Sequence, residues 1–233
     1  MAAIRAVALA GDDLLWHQDH VHRLTHERFR ALVTAHVPHA DVDGRLHATE
    51  SRNLALFGHG PKGFALSMIE TAIELTEGAI PAEDIAEIVD WAKDMARRPV
   101  ELVDGVEAAL DALAGRVRLL LVAKGDLFDQ ESRLARSGLA DRFDHVEIVS
   151  AKDDVTYRRL LQRQRLAPEA FLMCGPSMRA DVMPVLRLGG RAVHIPYPVS
   201  WARAEVEAAD MPADAWRLAN IAELPGLLET FDA

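Results

Sequence analysis

Asp12, Lys152 and Asp181 have the residue types and the places in the chain that suit chemistry, because each follows a short apolar run. Residues 6–10 are apolar, stop at Gly11 and give way at once to Asp12 and Asp13. Residues 119–122 lead into Ala123, Lys124 and Gly125, residues 146–149 into Lys152, and residues 171–174 into Pro176 and then Asp181. Carboxylates gathered with a lysine can exchange protons, hold a divalent cation or offset the charge of a phosphate. In open α/β sheets such groups collect at the carboxyl ends of the strands.

The elements that must position these residues alternate along the second half of the chain. A helix over about 104–114 stops at Gly115, and strands over 117–122, 146–149, 171–174 and 192–195 are separated by helices over about 129–137 and 155–164 and by a third with Asp181 early in it. Residues 216–218 fit an edge strand, and 221–231 closes the chain as a helix. Between the first strand and this region, residues 17–98 read as helical throughout. Apolar residues recur at near-helical spacing over 19–37, 46–57, 64–75 and 81–97, with breaks at Pro38, at 41–44 and at 58–63. The expected fold class is α/β: a doubly wound parallel sheet with a Rossmann-type core, formed by residues 1–16 and 99–233, and an inserted all-helical cap at 17–98.

The opening stretch resembles the first motif of the haloacid dehalogenase superfamily, an apolar strand followed by D-x-D-x-T. One branch of that family runs D-G-D-D-T-L-W-H where this chain has Ala10, Gly11, Asp12, Asp13, Leu14, Leu15, Trp16 and His17. The resemblance continues through Ala123-Lys124-Gly125-Asp126 against T-K-G-D, through Lys152 at the lysine of the third motif, and through Cys174 to Asp181 against G-N-S-x-x-S-D. It covers nearly the whole chain and implies a phosphatase-like hydrolase with a helical cap.

The same alignment implies altered chemistry. The family nucleophile is Ala10 here, and a methyl group can neither attack phosphorus nor bind Mg²⁺. Leu14, Ala123, Pro176 and Ala180 depart from the family pattern together with it, which points to natural loss rather than to one trapping substitution. What survives by position is Asp12 and Lys152 as residual catalytic residues, Asp181 and Asp12 as a weakened metal pair, and Ala123, Lys124 and Gly125 as the substrate-binding stretch. Lys62, in the glycine-rich stretch 58–63, is added as a phosphate contact from the cap, and a plain turn there stays open. Asp12 and Asp13 as helix-capping carboxylates, and Lys152 with Asp181 as a structural ion pair, also stay open. With Asp12 and Asp181 facing Lys152, the site carries about one net negative charge, so the pull on Mg²⁺ is expected to be weaker than in the family.

Composition bounds the rest. The 233 residues are 50% hydrophobic and 27% charged with a net charge of −10, which describes an acidic globular protein with no basic surface for nucleic acid. One cysteine, Cys174, excludes an internal disulfide, and its apolar neighbours make it a buried thiol. The N-terminal stretch lacks the layout of a signal peptide and no stretch approaches a membrane span, so a cytoplasmic location is expected. His17, His20, His22, His26, His36 and His39 crowd the start of the insert, but His22 and His26 lack the companion carboxylate of a metalloprotease helix and read as a solvated face. Three functional expectations follow: a phosphatase homologue without catalysis that binds a phosphorylated small molecule or a protein partner; a weak Mg²⁺-dependent hydrolase in which water attacks directly; or a structural protein that forms homo-oligomers through its cap.

Overall fold

The computed structural model describes residues 3–197 and 212–232. Among them, β1 (Ala6–Ala10), β2 (Arg118–Lys124), β3 (His145–Val149), β4 (Phe171–Gly175), β5 (Arg191–His194) and β6 (Trp216–Arg217) form one sheet in the order β3-β2-β1-β4-β5-β6. Every pairing is parallel. β1 and β4 are buried along their whole length, which is why AVALA and FLMCG are apolar on both faces rather than alternating.

Chain direction across the sheet reverses at β1, with β2 and β3 laid to one side and β4 to β6 to the other. Ala10 pairs in register with Val122, and Leu9 with Cys174. The residues that follow these strands therefore emerge side by side, at the switch point where α/β sheets bind their ligands.

The chain divides into two compact units, Met1–Asp19 with Val100–Ala233, and His20–Pro99. The second unit is built from α1 (Asp19–His36, whose first residue falls in the other unit), α2 (Val42–Phe57), α3 (Pro61–Leu75) and α4 (Ala82–Arg97). Its core gathers Phe29, Val33, Leu46, Met68, Ile88, Trp91 and Met95. The first unit adds α5 (Val106–Leu113), α6 (Leu127–Ser137), α7 (Asp154–Gln164), α8 (Met183–Arg187) and α9 (Leu224–Asp232) around the sheet. Leu9, Leu15, Trp16, Leu110, Tyr157 and Phe171 are fully buried there.

Three boundaries differ from the sequence reading. Residues 41–44 are not a break: Asp41 caps α2, its carboxylate accepting the Gly44 N–H at 3.0 Å. The glycine-rich loop is shorter than 58–63, because α3 starts at Pro61, a position where proline lacks no needed donor. Lys62 and Gly63 are thus helical. β2 extends to Lys124, so this lysine is the last residue of a strand rather than part of a loop. Among the described residues no helix is long and apolar enough to cross a membrane.

Candidate functional site

The loop after β1 is a tight, internally bonded turn. The N–H groups of Leu14 and Leu15 donate to the Gly11 carbonyl at 3.3 and 2.9 Å, and that of Asp13 donates to Trp16 O at 2.8 Å. The buried Trp16 ring lies against Gly11 so closely that a Cβ there would come within 2.7 Å of it. Only glycine fits at that point. The indole then donates to Asp12 Oδ1 at 2.7 Å, which fixes that carboxylate.

α6 supplies two more donors to Asp12. Arg133 donates to Oδ1 at 2.7 Å and Gln130 to Oδ2 at 3.1 Å, while Arg133 also donates to Asp129 Oδ2 at 2.8 Å. The Arg133 and Asp129 side chains are 6% and 8% exposed. Burial pushes the Asp129 carboxyl up, with Arg133 opposing. Both oxygens of Asp12 are therefore occupied by protein donors, and its charge is met by a guanidinium.

Asp181 comes from a π-helical turn, Met178–Val182, that follows β4. Its Oδ1 accepts from Lys152 Nζ at 2.6 Å and its Oδ2 from the Ser177 N–H at 3.0 Å, and the two side chains are 6% and 1% exposed. Gly175 makes the close approach possible, since a Cβ there would sit 2.3 Å from Asp181 Oδ2. A buried, doubly bonded ion pair of this kind is rigid and costly to break.

Lys124 is the cation without such a mate. Among the described residues its Nζ has no hydrogen-bond or ion-pair partner. Burial lowers its pKa from the ordinary lysine value, repulsion from Lys152 adds to this, and Asp181 and Asp12 oppose it. Asp13, at φ 61°, accepts the backbone N–H groups of Gln18 and Asp19 on Oδ1, both at 2.9 Å. Burial pushes its carboxyl up to about 6, against those two hydrogen bonds. His17 Nδ1 and the Tyr197 hydroxyl lie 2.6 Å apart.

These groups meet in a cavity of about 220 Å³ lined by Ala10, Gly11, Asp12, Asp13, Asp19, Lys124, Lys152, Pro176, Ser177, Ala180, Asp181 and Tyr197, all from the first unit. Ala10, Asp12, Lys124, Lys152 and Asp181, singled out in the sequence, thus share one cavity. Ala123 is buried and does not line it, and Gly125, at φ 156°, packs on Gln130 without lining it either. Lys62 stands in the first turn of α3, in the other unit.

The charge count from sequence is corrected by the cations and carboxylate it left out: Lys124, Arg133 and Asp129 join Asp12, Asp181 and Lys152. Asp129 and Arg133 are an ordinary i,i+4 pair in the sequence, and the pairing with Asp12 spans 121 residues, so nothing local announced it.

No family model and no curated protein matches this chain. Solved structures do. A haloacid dehalogenase-like family hydrolase from Xanthomonas campestris is 40% identical, with a TM-score of 0.88 over 99% of this chain and 92% of that one. The chain belongs to the haloacid dehalogenase superfamily. A 2-haloacid dehalogenase from Pseudomonas syringae pv. tomato, 20% identical, has the same fold at a TM-score of 0.65 over 98% of this chain and 99% of that one. So does the L-2-haloacid dehalogenase of Xanthobacter autotrophicus with chloropropionic acid covalently bound, at 16% identity and a TM-score of 0.65 over 97% and 98%.

The Mg²⁺ that the haloacid dehalogenase resemblance implies does not fit the donors found here. Ala10 offers a methyl group, Asp181 has both oxygens bonded to protein, and Asp12 has both bonded as well. Among the described residues no group of three or more His, Cys, Asp or Glu side chains is placed to hold a metal ion.

Proposed function

We propose that this chain is a haloacid dehalogenase homologue without hydrolytic chemistry, which uses the cavity at the strand ends to bind a small phosphorylated ligand. The observation that carries the reading is the Ala10 methyl at the end of β1, where the family places its nucleophile. Direct attack by water, with Asp12 as base, has little support, because both oxygens of Asp12 already accept hydrogen bonds. Lys124 is the group that receives the anion, since it is the half-buried cation with no protein partner among the described residues. A single cysteine, Cys174, which can form no internal disulfide, suits the reducing cytoplasm as its compartment.

The test is phosphate release from a panel of phosphate monoesters, with and without Mg²⁺, by the protein and its Asp181→Ala variant. Both are expected to be silent. Turnover like that of ordinary phosphatases, lost in Asp181→Ala and in Asp12→Ala, overturns the reading.

A second reading draws on a different observation. Leu56, Phe57, Leu66 and Ile73 of the helical unit are large, apolar and exposed, which favours contact with a protein partner or a second copy. Sedimentation showing a monomer at every concentration removes the second copy.

A further inference from the structure

The walls of the cavity carry charges of both signs, Lys124 and Lys152 against Asp12, Asp13, Asp19 and Asp181. Lys124 has no hydrogen-bond or ion-pair partner among the described residues, whereas Lys152 is tied to Asp181.

Asp13 is more than a loop carboxylate. Its Oδ1 takes both backbone N–H groups at the start of α1, while Oδ2 has no hydrogen-bond partner among the described residues. It also holds a left-handed φ of 61°, a conformation that costs a non-glycine residue energy and persists where the surroundings enforce it. The result is a fixed, half-buried carboxylate on the wall of a small cavity. A ligand that was only anionic would be attracted by Lys124 and repelled by Asp13 within the same cavity.

We propose that the ligand is zwitterionic, with its anionic group on Lys124 and a cationic amino group on Asp13 Oδ2, so that Asp13 selects amino-bearing phosphates over plain ones. This rests on the anion-binding reading above. An ammonium beside Asp13 replaces the water that burial removes, and its charge offsets a carboxylate that otherwise stands against Asp12.

The experiment is calorimetric binding of O-phosphoethanolamine and of ethyl phosphate to the full chain at neutral pH, with wild type and Asp13→Asn. The two probes share a phosphate and a two-carbon arm and differ in the ammonium. Wild type is expected to bind O-phosphoethanolamine about tenfold or more tightly, the effect of one ion pair shielded from water. Asp13→Asn keeps the acceptor for Gln18 and Asp19 and tolerates the left-handed backbone, so it should unfold no more easily than wild type while the preference falls to near unity. Equal binding of both probes by wild type overturns the zwitterion assignment and leaves the anion reading intact. A preference that survives in Asp13→Asn overturns the role of Asp13. Binding of neither probe overturns the anion reading, and the zwitterion with it.

Discussion

Arg133 changes what Asp12 can do. The motif made Asp12 legible as a site residue, but its partner lies on α6 and carries no signal of its own, because a buried cation that reaches across the fold looks in sequence like any helix arginine. Removing it leaves Asp129 buried beside Asp12 with no counter-charge, so Arg133→Met should lose about 3 kcal/mol of stability in urea unfolding. An unchanged midpoint would mean that the two carboxylates do not depend on the guanidinium. Asp13 makes a prediction of the opposite sign. Its carboxyl is pushed up to about 6 in the folded chain from an ordinary 3.8, so the folded state holds this proton more tightly than the unfolded one. Ionised Asp13 therefore costs stability at neutral pH, and the cost is relieved as pH falls through about 6 and is gone below 3.8. Asp13→Asn should be more stable than wild type at neutral pH by about 1–2 kcal/mol, with the gap closing over that window in thermal melts taken without ligand.

At the scale of elements, the buried strands were the most legible part of the chain, since a parallel strand covered on both faces has to be a continuous apolar run, as AVALA is. The start of α2 was not, because aspartate and glycine mark both turns and helix N-termini, and only the Asp41 side chain meeting the Gly44 N–H separates the two. The glycines that shape the site were equally silent in the sequence. Gly175 reads as a loop residue after a strand, yet it is what lets Asp181 reach Lys152. Gly175→Ala would put a Cβ 2.3 Å from Asp181 Oδ2, and should cost about 2–3 kcal/mol by forcing the buried pair apart. Gly226→Ala, on α9 with nothing within 4 Å of the added Cβ, is the control and should be neutral or slightly stabilising. Equal midpoints for the two variants would show that the turn after β4 yields freely.

For the whole molecule, membership of a superfamily settles the architecture and leaves the chemistry to the individual side chains, since one fold hosts many activities. The substitutions here act in concert. Ala10 offers no carboxylate at the end of β1, and Lys152 and Arg133 pair with Asp181 and Asp12, so protein cations balance these two carboxylates. A molecule with a net charge of −10 still attracts divalent cations loosely over its surface, so the discriminating measurement is a saturable effect rather than any effect. Melting of wild type should shift by no more than ordinary salt produces when Mg²⁺ is added or removed with EDTA. Ala10→Asp returns a carboxylate beside the Lys152–Asp181 pair, and a folded state that gains even a modest Mg²⁺ site is stabilised by mass action, by about 1.4 kcal/mol when the free ion stands at about ten times its dissociation constant. A saturable Mg²⁺ shift in Ala10→Asp and none in wild type would show that a carboxylate at that one position decides Mg²⁺ binding. The same shift in both would mean that Asp12 or Asp181 leaves its protein partner readily, and that the ion pairs described above do not replace the metal.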